Sequence, residues 1–415
     1  MKYRYLWIMI VWIFLYLSGA AGFGFPDENG SDWTQMRGSA RDGISTETKL
    51  ADRWPESGPA EIWRKNIGDG YSGVAVSGDR LFITFSHDGK EKLFCLNAGS
   101  GGEIWQFALN DHFDEQFGDG PRATPTIDGE TVYAIGSYGI LYSLNAKNGQ
   151  KNWELNIHQT FSDEQNGPFN RGYASSPLIL GDTLIICGSI PPGKTVVALN
   201  KHTGKTIWTY QNGTTSYSSP MLMHISGHPQ IVSSIGYGMA GIDPKTGAEL
   251  WKYRWETSYE LNIVPPLQVA PDKVMISSGY DKGAALVQLQ QKNGSWEVNE
   301  LWTNRLFRNH FNGSVLLDGF LYGFDNKNLK CINALTGEEQ WANRDFGKGS
   351  VILADDKLYV QGENGQIALV KATPTGYTEL GRHTALTGRC WTIPALANGK
   401  LYVRNMSELV CYDVK

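Results

Sequence analysis

The sequence predicts an all-β protein, an eight-bladed β-propeller of four-stranded antiparallel blades whose ring is closed by an N-terminal strand completing the last blade. Three observations predict it. A skeleton of a small residue, Asp or Asn, Gly and Trp recurs at fixed offsets: CLNAGSGGEIW (95–105), SLNAKNGQKNW (143–153), ALNKHTGKTIW (198–208), GIDPKTGAELW (241–251) and CINALTGEEQW (331–341). With weaker copies included, the marker falls at Trp63, Trp105, Trp153, Trp208, Trp251, Trp302, Trp341 and, replaced by Leu, at Leu380, so that each interval has the length of one four-stranded blade. The composition, with 48 Gly, 14 Trp and 19 Tyr, suits many short strands joined by tight turns.

Each element of a blade has a local reason. In 123–157 the segments ATPTI, ETVYAIG, GILYSLNA and KNWELNI read as four strands, and IDGE, SYG and AKNGQ read as Gly-bearing turns. The Asn or Asp of the skeleton starts the turn by accepting from backbone N–H groups just ahead. The Gly supplies the positive φ of the hairpin. The Trp, on the outer strand, offers a flat surface to the neighbouring blade. Trp63, Trp105, Trp153, Trp208, Trp251, Trp302 and Trp341 are therefore read as blade-docking residues.

The ends of the chain fit each other. LVCYDVK stops at Lys415 before its Gly and Trp, while an orphan EIW stands at 61–63. Joining the two in one blade closes the ring and protects edges that would otherwise pair with other chains. The propeller is accordingly expected over 60–415, with 22–59 as an extension packing on it and Trp33, Arg37 and Arg41 lying on the propeller wall. Residues 1–21 read as a signal peptide: Lys2 and Arg4, an apolar run from Leu6 to Leu17, then small residues, with cleavage near Ala20 or Ala21. An uncleaved anchor is the alternative, although the run is short for a full span. The expected location is exported, periplasmic or extracellular, with no transmembrane span after signal removal.

Composition excludes some functions. A net charge of −5 without a basic run argues against nucleic acid as a partner. The five cysteines, Cys95, Cys187, Cys331, Cys390 and Cys411, form no CxxC or adjacent pair. Cys95, Cys331 and Cys411 occupy the small-residue slot of the repeat and read as packing residues. No HExxH, G-x-S-x-G or DxDxDG signature occurs.

The skeleton from Ala198 through Asn200 and Gly204 to Trp208 resembles the tryptophan-docking motif of the pyrroloquinoline quinone (PQQ)-type propeller repeat. That family includes quinoprotein alcohol dehydrogenases and also BamB, a non-enzymatic assembly factor of the bacterial outer membrane. The segments DWTQMRGSARDGIS (32–45), WPESGPAEIW (54–63), GPRATPT (120–126) and GYASSPL (172–178) are also similar to a group of exported bacterial propellers. The dehydrogenase resemblance implies PQQ, a calcium ion held by carboxylate and amide oxygens, an Asp base, a Trp beneath the cofactor and a disulfide between neighbouring cysteines. This sequence lacks the adjacent cysteines and any compact run of oxygen ligands, so no catalytic or metal residue is assigned and PQQ with calcium stays an alternative.

Candidate binding residues come from the channel mouth. The long loops 109–122 and 155–173 share a Phe, acidic, Gln pattern and lead into inner strands. Aligning those strands on Pro125, Pro177, Pro220 and Pro394, with Val74, Val315 and Val351 in the same place, puts Tyr71, Arg122, Ala174, Tyr217, Asn312, Lys348 and Trp391 three residues earlier. Asn262 falls near this slot, and Arg171, Tyr173, His310 and Arg389 lie close by in sequence. This aromatic and cationic collar suits a small anionic or planar ligand or a peptide; the competing reading is that it plugs the channel by pairing with the acidic loops. The expected role is a binding or scaffold module of the cell envelope, engaging an envelope protein or such a ligand at the mouth. A quinoprotein oxidoreductase is the alternative, and a polysaccharide-associated protein a third reading.

Overall fold

The computed structural model describes residues 32–163, 171–188, 193–214 and 216–415. The expected signal peptide lies outside them. Among the described residues thirty-two strands form eight sheets of four. Seven are consecutive meanders. The eighth joins Ala395–Ala397, Lys400–Arg404 and Glu408–Asp413 to Ala60–Asn66, with Trp63 opposite Cys411. Blades are numbered from Ala75, so this composite blade is blade 8.

In the second blade the four strands are Thr126–Asp128, Thr131–Ile135, Ile140–Asn145 and Lys151–Asn156. The inner strand is shorter than the ATPTI segment because Ala123 to Pro125 form the approach to the ring, and the outer strand stops where Ile157–Phe161 turns into a short helix.

Register explains the small residue of the skeleton. Cys95, Ser143, Ala198, Gly241, Cys331 and Cys411 each stand directly opposite a Trp of the outer strand. A bulge follows at once, and a small residue there leaves room for the indole; blade 5 is the exception, with Leu286 opposite Trp302. All five cysteines are buried free thiols.

The turn and the wedge work together across blades. Asn200 Oδ1 accepts from the backbone N–H of His202 and Thr203 at 3.1 and 3.0 Å. Gly204 has φ +70°, and a Cβ there would sit 3.0 Å from Trp153 Cε3 of the preceding blade. Trp153 Nε1 then donates to Lys201 O at 2.9 Å. Trp63, Trp105, Trp208 and Trp302 repeat this with Ala98, Ala146, Pro244 and Ala334, and Trp341 donates to Thr373 O. Trp251 is the exception. Its indole donates to Gln230 of its own blade at 2.6 Å, because the next blade carries its Gly294 at the far tip of a long hairpin. It still packs with Val274, Ile276 and Val287 of that blade.

In blade 7 the register puts Gly381, opposite Leu369, in the Trp position and makes Leu380, the expected stand-in, the bulge residue. The cause is the hairpin, which closes from Lys371 to Thr378, a longer span than Asn200 to Lys205. The extension supplies the missing ring. Trp54 lies over Gly381, bonds Leu380 O through its backbone at 3.1 Å, and tilts against Tyr359.

The extension also departs from the expected wall position. Trp33 exchanges both backbone bonds with Val76 of blade 1, Thr34 O accepts from Ile127 of blade 2, and Arg41 bonds carbonyls of Ser176 and Pro177 at blade 3. Arg37 reaches Ser314 O at blade 6, and Gly43 and Ser45 pair with Leu353 of blade 7. A segment bonded to the innermost strands on opposite sides of a ring lies across the channel. Residues 32–45 therefore cork it, and Trp33, Arg37 and Arg41 are buried there rather than lying on the outside.

Candidate functional site

The cork makes the channel blind, and a cavity of about 240 Å³ lies above it, with Met36 and Arg37 among its walls. The residues preceding each inner strand turn inward at the mouth because the strand itself starts at the channel rim. Six candidates from the sequence meet there: Tyr71, Arg122, Arg171, Tyr217, Asn312 and Trp391.

Four do not line the cavity. Asn262 is wholly buried and spends its amide on Ile235 O and Trp255 O, at 2.9 and 3.1 Å, and on the Ser278 hydroxyl. Tyr173 is buried against His158. His310 stands behind Phe311, edge-on to Tyr280. Lys348 approaches from outside, its Nζ 5.3 Å from the Trp391 ring and 5.6 Å from that of Phe311.

Aromatic rings build the mouth. Tyr71 and Trp391 stack with centroids 6.1 Å apart, and Phe311 lies 5.0 Å from Trp391. The series continues through His310 and Tyr280 to Tyr259, whose ring is 69% exposed. Phe117, 48% exposed, closes the other side beneath the Arg171 guanidinium at 4.7 Å.

Cations are held against these rings. Arg389 sits 4.5 Å over Trp391 and donates to Tyr71 Oη at 3.1 Å and Phe117 O at 2.6 Å. Arg122 lies between Tyr71 and Phe113, donates to the carbonyls of Gly118 and Gly120, and is 3.5 Å from Glu115. Burial lowers its pKa, opposed by Glu115 and Glu91, and it stays a cation at neutral pH. Burial likewise lowers Lys348 and pushes the Tyr217 hydroxyl up. Trp391 is fixed by its indole N–H on Glu363 at 2.9 Å, and Asn312 by Gly349 O and Trp391 O.

The two sequence readings of the collar thus divide between residues. Arg122 is engaged by an acidic loop. Lys348 contacts rings and is paired with none of Asp114, Glu115 and Asp163; Glu164 lies outside the described residues. The sequence reading missed Arg37, Phe117 and Phe311 as cavity residues. Phe311 directly precedes Asn312 and was recoverable from the alignment, whereas Arg37 sits outside the repeat.

A calcium-bound quinone does not fit this donor set. Among the described residues Glu115 is the one carboxylate of the lining, and its Oε2 already accepts from Phe117 N at 2.8 Å and faces Arg122. The cysteines are single buried thiols. His112, Asp114 and Asp119 come together in the loop outside the cavity: His112 Nδ1 meets the Ser86 hydroxyl, its Nε2 lies 3.3 Å from Asp114 and 3.8 Å from Asp119, and Asp119 Oδ1 accepts from Glu115 N.

Eight four-stranded blades, five of them docked by Trp63, Trp105, Trp153, Trp208 and Trp302 on a neighbour's Asn/Asp-Gly turn, around an aromatic and cationic mouth, define a PQQ-like propeller. The chain belongs to the family described as outer membrane protein assembly factor BamB, whose model matches residues 55–162 and 158–343. It is 23% identical to the outer membrane protein assembly factor BamB of Salmonella typhimurium over 324 residues, 72% of this chain and 75% of that protein. It is 27% identical to a quinoprotein ethanol dehydrogenase of Pseudomonas aeruginosa over 214 residues, 44% of this chain and only 33% of that enzyme. Among solved structures, BamB from Moraxella catarrhalis superposes with TM-score 0.61 at 15% identity, covering 86% of this chain and 99% of that one. Quinohemoprotein alcohol dehydrogenase from Comamonas testosteroni gives 0.65 at 10% identity, covering 92% and 80%. At these identities the structural likeness shows the fold.

Proposed function

We propose that this protein is exported and works as a binding or scaffold module of the cell envelope, engaging an envelope protein or a small planar anion at the channel mouth. The supporting observation is the composition of the blind cavity: flat rings and guanidiniums, with, among the described residues, a single carboxylate that is already committed. Such a lining holds flat, negatively charged groups by stacking and charge. Its described residues form no oxygen cage for a catalytic cation. Similarity to BamB proteins over most of the chain supports an envelope role, and no helix among the described residues is long and apolar enough to cross a membrane.

A photo-reactive amino acid at Phe117, on the mouth, and another at Ile207, exposed on an outer strand, test this in intact cells. An envelope protein captured from position 117, not from 207, and lost with Trp391→Ala supports the reading. Equal capture at both sites overturns the assignment of the mouth. Saturable alcohol-dependent dye reduction by the purified protein with PQQ and calcium would replace the reading by the dehydrogenase one.

A further inference from the structure

The segment that corks the channel carries two arginines into it without two matching acids. Arg37 and Arg41 are 5% and 2% exposed. Arg37 donates to the carbonyls of Arg41, Asp42 and Ser314 at 3.4, 2.7 and 2.6 Å. Arg41 donates to Gln35 Oε1, Pro177 O and Ser176 O at 2.9, 2.7 and 3.1 Å. Each of these acceptors is neutral. Among the described residues the carboxylate acting on the pair is that of Asp42, beside Arg37, whereas Arg41 faces the thiol of Cys187. Burial pushes that thiol up, which keeps it uncharged. The two guanidiniums, lowered by burial to about 10 and about 9, remain protonated at neutral pH. Two buried cations thus share one anion.

Each arginine also keeps a buried nitrogen with no hydrogen-bond partner, Arg37 Nη1 and Arg41 Nε. Both side chains line one small cavity of about 10 Å³ beneath the mouth, between blades 4, 5 and 6, beside Ser277, Asn309 and Ser314. That is room for about one water-sized species. A water molecule would satisfy the N–H groups but leave the charge uncompensated, and uncompensated buried charge is the costlier of the two deficits. Sulfate and phosphate are too large.

We propose that this cavity binds one monovalent inorganic anion, a halide such as chloride, between Arg37 and Arg41. A halide accepts from several N–H donors without fixed geometry and neutralises the excess cation. It thereby ties residues 32–45 to blades 3 and 6 and fixes Arg37 as a wall of the mouth cavity.

The test uses the purified mature chain exchanged into methanesulfonate buffer, then titrated with chloride at constant ionic strength. The expected result is a saturable rise in Tm of about 3–4 °C at a hundredfold excess over Kd, and its disappearance in Arg41→Met. Should Arg41→Met fail to fold, crystals of the unaltered protein grown in bromide give a second readout, an anomalous peak in contact with both arginines. A Tm indifferent to halide, or a water in the cavity with no bromide scattering, overturns the proposal.

Discussion

Trp54 packs against Tyr359 with ring centroids 6.1 Å apart and planes at 57°. Within the repeat, Trp105 meets Phe82 at 5.8 Å and 59°. The geometry is the same, although Trp54 comes from outside the repeat and reaches blade 7 from the N-terminal side. It fills the position that Gly381 leaves empty. Its indole nitrogen has no partner, unlike the docking tryptophans around the ring.

Trp54→Ala should therefore destabilise the whole ring by about 3–5 kcal/mol, the range for emptying a large aromatic site. Trp54→Phe should lose much less, since no indole hydrogen bond is given up. Urea unfolding of the three proteins measures both values. A Trp54→Ala cost under about 1 kcal/mol would mean the ring closes without this residue.

The contribution of the turn glycine can be separated from that of its neighbour. Gly204 and Gly294 both have positive φ, +70° and +83°, but a Cβ at 204 meets Trp153 whereas one at 294 meets nothing within 4 Å. Backbone strain alone should cost Gly294→Ala about 1 kcal/mol. Gly204→Ala adds displacement of a packed indole, another 1–3 kcal/mol or so. Equal losses in thermal unfolding would contradict the docking account.

The repeat was legible because its period is enforced by contacts that recur. Cys95, Ser143 and Ala198 are small for the same reason, a Trp directly across the strand. The completed eighth blade was legible because the leftover pieces matched. The cork was not: Arg37 and Arg41 belong to no repeat, and their places depend on carbonyls of Ser314 and Pro177, hundreds of residues away in the chain or nearly so. The collar was partly legible. Tyr71, Arg122 and Trp391 share a register position and meet, while Asn262, only near that slot, turned into the core and found its partners there.

His310 gives a pH signature. Burial and, to a lesser degree, Lys348 lower its pKa from the ordinary 6.5 to about 4. The unfolded chain then binds a proton between those values that the folded chain refuses. The stability from this group is full above pH 6.5, falls as pH drops toward 4, and is constant below. His310→Gln should flatten that limb in urea titrations at stepped pH. An unchanged slope would assign the limb to other groups.

Glu115 and Arg122 make opposite predictions for a ligand at the mouth. Glu115 is the carboxylate of the lining and sits 3.5 Å from Arg122, so it offsets the cation that an anionic ligand would meet. Removing its charge while keeping its size, Glu115→Gln, should tighten binding of a planar aromatic dicarboxylate. Arg122→Ala should weaken it by tenfold or so, the equivalent of about 1.4 kcal/mol. Trp391→Ala should weaken it similarly through lost stacking, without altering the salt dependence that Arg122 confers. Titration followed by tryptophan fluorescence at two ionic strengths separates these effects. If Glu115→Gln and Arg122→Ala shift the affinity in the same direction, charge at this pair does not select the ligand, and the mouth would have to act through its rings alone.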